Sequence, residues 1–170
     1  VVQDSVYIYQ VAAQDINGNI SELSNPDSAS LEAITLFDVT VIPEGLLNIS
    51  TNTLRMRDTI TAYLYDLTGS DIIDSAKGVL DSVTFKVDLE FKNANSGIYY
   101  LVIKHRNCIE TWSKIGGEEI NRGGTYNYDF TNSAGNAYGD NLKLKGGKYC
   151  LYSGDVNSSG LINSTDRTLI

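Results

Sequence analysis

Histidine is nearly missing from this chain, occurring once, at His105, in 170 residues; methionine and tryptophan also occur once each, and proline and cysteine twice each. Each scarcity excludes a chemistry. A serine–histidine–aspartate triad would have to use His105, and no Gly-x-Ser-x-Gly elbow presents a nucleophilic serine. One histidine and two cysteines cannot fill a zinc site without carboxylates, and no pair of them has zinc spacing. Cys108 lies three residues from His105 with a turn between them, a thin basis for a Cys–His pair. Cys108 and Cys150 can form one disulfide closing about 40 residues, worth roughly 4 kcal/mol in the chain-entropy model, or remain two buried thiols. Basic residues are outnumbered, 13 Lys and Arg against 21 Asp and Glu, for a net charge of −8. Nucleic acid needs clustered Lys and Arg, so it is excluded as a partner. No apolar run approaches the roughly 18 residues that cross a membrane. Gly116-Gly117 and Gly123-Gly124 lack the Lys-Ser/Thr or strand–helix context of a phosphate-cradling loop. Asp and Glu are spread too widely to single out a glycosidase pair. The expectation is a protein without enzymatic activity. The abrupt start at Val1-Val2-Gln3, with no signal peptide, fits a processed mature form or an excerpt.

What the chain does have is short alternating apolar runs separated by Gly, Asn, Ser and Asp clusters, with 15 glycines and 11 tyrosines. This predicts an all-β protein. Tyr7, Tyr9, Val11 and Ala13 share one face of a strand over 5–13, Asn17-Gly18 suits a tight turn, and 20–24 reads as the return strand. A polar linker is expected over 25–33, then a domain over 34–152. In it the cleanest strand, 82–91, puts Val83, Phe85, Val87, Leu89 and Phe91 on one side, while 98–105 is apolar on both faces, as a central strand is. Seven or eight such strands with a turn about every ten residues imply an antiparallel β-sandwich. Trp112, Tyr126 and Tyr128 are candidates for stacking on sugar rings, although core and cross-strand packing is the favoured account of them. Sequons at Asn19, Asn48, Asn157 and Asn163 are of the number that so Asn-rich a chain produces by chance.

The last 18 residues, 153–170, carry the sharpest pattern. Counted from Asp155, oxygen-bearing side chains fall at positions 1 (Asp155), 3 (Asn157), 5 (Ser159), 9 (Asn163) and 12 (Asp166); Gly160 is at 6, and Leu161, able to offer its carbonyl, at 7. That is the ligand spacing of an EF-hand-like Ca²⁺ loop. Calcium takes six to eight oxygens at about 2.3–2.6 Å, and alternate residues of a tight loop aim theirs inward. The same residues also suit an ordinary Asn/Ser/Gly-rich turn.

Gly154-Asp155-Val156-Asn157, Gly160, and Ile162-Asn163-Ser164-Thr165-Asp166 resemble a type I dockerin repeat. The resemblance implies a Ca²⁺ loop followed by one helix in a secreted bacterial or archaeal protein, with Asp at position 12. This chain departs from it in having Ser159 where Asp is common, and in stopping inside the first of the two repeats that a cohesin-binding dockerin carries. The run Tyr7-x-Tyr9-x-Val11-x-Ala13, Asp15-x-Asn17-Gly18-Asn19, Ser21-x-x-Ser24 resembles the last two strands of a fibronectin type III domain, without the five that should precede them. The run 97–113, with 128–131, 137–139 and 152–157, resembles the C-terminal β-sandwich region of large secreted modular proteins of Bacteroidetes and their relatives, which implies fold and location but no chemistry.

Three fates are open to the hairpin at 1–24: it packs on its own chain, completes a sheet in another molecule through Tyr7, Tyr9 and Val11, or is the remnant of a longer domain. The functional expectation is a non-catalytic extracellular or cell-surface structural module, possible subunit of a filament built by strand exchange. Its partners would be copies of itself or other modules of a larger secreted protein. The alternative is an ancillary carbohydrate-binding or dockerin-bearing region of a secreted polysaccharide-degrading enzyme.

Overall fold

The first of two units, Val1–Ala33, is a hairpin pinched at its tip by Asp15, whose carboxylate accepts the N–H groups of Asn17 (2.8 Å) and Asn19 (2.9 Å) and the Asn19 amide (2.8 Å). The computed structural model describes residues 5–30 and 32–168. Strand β1 (Val6–Tyr9) pairs antiparallel with β2 (Asp27–Ser30), Val6 opposite Ser30 and Tyr9 opposite Asp27. The linker expected at 25–33 therefore contains a strand. Residues 20–24, expected as the return strand, pair irregularly: Ser21 and Ser24 hydroxyls accept the N–H groups of Ala13 (2.9 Å) and Val11 (3.1 Å), taking the place of ladder carbonyls. The hairpin's apolar side chains, Val6, Ile8, Tyr9 and Val11, face solvent, Val11 with 70% of its surface exposed.

Among the described residues the second unit, Ile34–Ile170, holds β3 (Thr35–Thr40), β4 (Leu47–Asn48), β5 (Thr53–Leu54), β6 (Asp58–Tyr65), β7 (Ile72–Leu80), β8 (Lys86–Phe91), β9 (Gly97–Lys104), β10 (Thr111–Trp112), β11 (Glu118–Ile120), β12 (Thr125–Asp129), β13 (Lys143–Lys145), β14 (Lys148–Cys150), three 3-10 turns and a short α-helix, α1 (Ser164–Arg167). The protein is all-β in character. One sheet runs β10-β9-β6-β7, with β11 on β9 beyond β10; a second runs β12-β3-β8. Alternate residues of each send apolar side chains into one core: Phe37 and Val39 from β3, Val87, Leu89 and Phe91 from β8, Ile60, Ala62 and Leu64 from β6, and Leu101 and Ile103 from β9. Each larger one contributes about 1.5–3 kcal/mol when fully covered. Phe37 and Phe91 meet edge to face, ring centres 5.7 Å apart, the geometry that the ring quadrupoles favour. At the corner where β7 meets β8 the backbones approach closely: a Cβ on Gly78 would stand 2.5 Å from the Asp88 carbonyl oxygen.

Two expectations are corrected. The ladder of β12 with β3 is parallel, Thr125 opposite Leu36 and Asp129 opposite Thr40, so the sheets are not purely antiparallel. The long chain between these strands supplies the crossover that a parallel pair needs. The strand expected over 82–91 begins only at Lys86. Asp81 accepts the N–H groups of Val83 (3.0 Å) and Thr84 (2.9 Å), bending 81–85 into a turn with Phe85 at φ +62°. Val83, placed on the inner face by its alternation, is 65% exposed.

Leu89→Ala is therefore expected to cost about 2–5 kcal/mol, and Val83→Ala no more than about 0.5 kcal/mol, in urea denaturation. Equal losses would contradict the turn.

Candidate functional site

The terminal loop is reached through residues fastened to the core. Leu151 is buried, its N–H donates to the Ile42 carbonyl (2.8 Å), and its own carbonyl accepts from Glu44 N–H (3.1 Å). The Ile109 N–H donates to Tyr152 O (2.9 Å), Gly154 N–H to Asn107 O (2.8 Å), and Gly45 N–H to the Ser153 hydroxyl (2.9 Å). Four backbone bonds and one side-chain bond thus hold 151–154 before the loop begins.

Within the loop the first and twelfth positions organise the rest. Asp155 and Asp166 are 1% and 2% exposed. The two Asp155 oxygens accept the N–H groups of Ser159 and Gly160, both at 2.8 Å. Asp166 Oδ1 accepts from Val156 (2.9 Å) and Asn157 (3.4 Å), and Oδ2 from Asn163 (2.9 Å). Because Val156 directly follows Asp155, the last carboxylate closes the loop onto its start. Backbone donors, Asn163 first, hold the Asp166 carboxyl below its usual 3.8 in spite of burial. Gly160 sits at φ +78°, where a side chain is strained. Asn163 caps α1: its side chain accepts Thr165 N–H (2.8 Å), while Asp166 reaches back to Asn163 N–H, a capping box. Ser159 Oγ donates to Leu161 O (3.2 Å), and Asn157 Oδ1 accepts from Ser159 N–H (3.0 Å). Asn157, Ser159, Leu161 and Asn163 are exposed. Among the described residues no three His, Cys, Asp or Glu side chains gather into a metal cluster; this loop has two carboxylates, its other oxygens being amide, hydroxyl and carbonyl.

Beside the loop lies a cluster that the sequence barely signalled. Cys108 Sγ is 3.3 Å from His105 Nδ1 and 3.2 Å from Ser153 Oγ, and His105 Nε2 is 3.3 Å from Asp58 Oδ2. The close Cys–His pair and Asp58 follow from folding: Asp58 opens β6, and the turn after β9 lies beside it. The arrangement has the outline of a thiol–imidazole–carboxylate relay but not its charge state. Burial pushes the Cys108 thiol up to about 12, and burial also lowers His105 below 6.5 against the pull of Asp58. A neutral thiol beside a neutral imidazole is a poor nucleophile. Burial opposes the charge on Asp58, but Arg106 (Nη2–Oδ2 2.8 Å), Thr59 N–H and His105 together keep its carboxyl below 3.8. Cys150 is a separate buried thiol, 3.7 Å from Lys148 O, so the disulfide considered for Cys108 and Cys150 is not formed; each sulfur has its own partners.

Tyr7 and Tyr9 stack at 6.5 Å, and with Val11 belong to the hairpin. Of the sugar-stacking candidates, Tyr128 is buried, donating its hydroxyl to Asn136 O (2.7 Å), and Tyr126 packs against Phe37 at 5.3 Å. Both are packing residues. Trp112 differs: Tyr65 and Tyr100 flank it at 4.8 and 5.6 Å, neighbours supplied by strand pairing rather than sequence proximity. A scan against protein-family models finds no match to this chain, and searches of curated proteins and of solved structures find none either.

The buried ionisable groups set a two-step pH dependence. His105 binds its proton more weakly folded than unfolded, so stability is expected to fall as pH drops below about 6.5. Asp58 and Asp166, held below 3.8, add stability that is lost only at lower pH, as they protonate through their folded values. Thermal unfolding across pH should show the first step vanish in His105→Gln; an unchanged profile would contradict this assignment.

Proposed function

We propose that this chain is a non-catalytic extracellular structural module: a β-sandwich whose dockerin-like terminal loop binds Ca²⁺ as a clip. The observation that carries the reading is the burial of Asp155 and Asp166 in a loop already closed by their hydrogen bonds. Both Asp155 oxygens and Asp166 Oδ2 accept one backbone N–H each and keep lone-pair capacity for a cation, while Asp166 Oδ1 already accepts two; two buried carboxylates in a chain of net charge −8 gain from a positive partner. The residues present fit a calcium site. Asp155, Asn157, Ser159, the Leu161 carbonyl, Asn163 (through water) and Asp166 would hold the ion, which supplies charge neutralisation and cross-linking of the loop. Ser159 Oγ and Asn163 Oδ1, engaged with Leu161 O and Thr165 N–H, are where protein contacts compete with the metal. With Ser159 at position 5 the expected affinity is in the roughly 10⁻⁴–10⁻³ M range of extracellular modules.

Calorimetric titration of the full chain with CaCl₂ should give one site, removed in Asp155→Ala and in Asp166→Ala. Saturation at about 100 times Kd should stabilise the fold by about 2.7 kcal/mol. No heat and no thermal shift at millimolar Ca²⁺ would overturn the reading.

The solvent-facing Val6, Ile8, Tyr9 and Val11 support the assembly part of the proposal, in which the hairpin donates strands to another copy. Such exchange is head-to-tail and need not close. The full chain is expected to oligomerise with concentration in light scattering, and a chain lacking residues 1–33 to stay monomeric with an unchanged β-type circular dichroism spectrum. Equal oligomerisation of both would remove the hairpin from the account.

A further inference from the structure

On the β10-β9-β6-β7 sheet, the side chains that point away from the core form a row of aromatic rings. Tyr65 pairs with Tyr100 across β6 and β9, and Trp112 pairs with Val102, two residues from Tyr100 on the same side. Ring centres follow at 6.3 Å (Tyr63–Tyr65), 4.8 Å (Tyr65–Trp112), 5.6 Å (Trp112–Tyr100) and 6.0 Å (Tyr100–Tyr138). A bridge between Ser113 and Ala137 brings Tyr138, 50% exposed, beside this face. The rings Trp112, Tyr100 and Tyr138 line a cleft of about 550 Å³ with Thr68, Glu110 and Asn141, within the range of about 300–1,000 Å³ usual for small-ligand sites. The turn that forms another wall carries Gly69, where a Cβ would lie 3.3 Å from the Trp112 ring, so a larger residue there would press on it.

We propose that this cleft binds a neutral oligosaccharide, a function separate from the calcium clip and sharing no residue with it. The lining is the kind a pyranose needs: flat apolar rings for its C–H faces and polar groups at their edges for its hydroxyls. Neutrality follows from Glu110, the one charged group among the described residues that line the cleft. Its Oε1 accepts Trp112 Nε1–H at 2.6 Å and its Oε2 pairs with Lys104 Nζ at 2.7 Å. An acidic sugar would meet a carboxylate whose cation is already engaged. The same hydrogen bond disfavours a proline-rich peptide, since aromatic grooves hold such peptides in part by donating hydrogen bonds to their carbonyls, and the Trp112 donor is spent on Glu110. The Tyr100 hydroxyl accepts from Gly116 N–H (3.4 Å) and keeps its own hydrogen to donate to a sugar oxygen.

Trp112 is the chain's one tryptophan, so its emission reports on this cleft alone. The full chain is titrated with the neutral hexasaccharides of β-1,4-glucan, β-1,3-glucan, xylan and mannan, with oligogalacturonate, and with a proline-rich peptide. Saturable emission changes with at least one neutral sugar are expected, unaltered by EDTA. By calorimetry, binding should weaken about tenfold in Tyr138→Ala, as truncation of a central aromatic contact does, should survive Tyr126→Phe, and should be lost in Trp112→Ala with the melting temperature of each variant checked. Binding to none of the four neutral sugars, equal binding of oligogalacturonate, capture of the peptide instead, or full affinity in Tyr138→Ala would each overturn the proposal.

Discussion

Phe37, Val39, Val87, Leu89 and Phe91 from one sheet, and Ile60, Ala62, Leu64, Leu101 and Ile103 from the other, must be kept from water together, because neither sheet can cover its own apolar face. All are buried. That mutual coverage fixes which side of every strand faces out, since a strand's side chains alternate and a one-residue slip would exchange the faces. The outward aromatic row is thus a by-product of the core: with Leu64, Leu101 and Ile103 facing inward, Tyr65, Tyr100 and Trp112 have the other side.

The core also fixes where the terminal loop can sit. Leu151, fully buried, is the last of the described residues to join it, and its bonds to Ile42 and Glu44, followed by those of Tyr152 and Gly154 to the 107–109 turn, carry the fastening outward to Asp155. Disorder in the loop would not unmake the sheets. A change that frees Leu151, by contrast, would release the loop. By this asymmetry a bound calcium ion would stiffen the loop rather than nucleate the two sheets.

Sequence made the loop legible because its determinants are local: donor, glycine and acceptor all fall within twelve residues, and hydrogen bonds of Asp155 and Asp166 stay inside that span. Strand β9 was legible as well, because an apolar run on both faces between turn residues is itself a local signal. Elsewhere a competing local interaction or a distant partner decided the outcome. Asp81 captures the N–H groups of Val83 and Thr84 and overrides a valid period-two pattern. Strand β7 runs for nine residues although Lys77 and Gly78 break its apolar pattern, because β6 supplies the pairing. The parallel placement of β12 beside β3, the seat of Asp58 against His105, and the rings around Trp112 all join residues far apart in the chain, and no spacing rule reaches them. Ser21 and Ser24 stand out in the sequence, but their role as hydrogen-bond acceptors for Ala13 and Val11 depends on the hairpin's geometry.

The bonds at Leu151 and Gly154 tie the loop to the two sheets, so that an ion held at Asp155 and Asp166 would be felt at the core. Amide hydrogen exchange with and without Ca²⁺ tests this directly. Slower exchange is expected not only at Ser159, Gly160 and Asn163 but also at Ile109 and Gly154, whose N–H groups bond across the junction, and at Leu151. Slowing confined to residues 155–166, with Ile109, Leu151 and Gly154 unchanged, would contradict it.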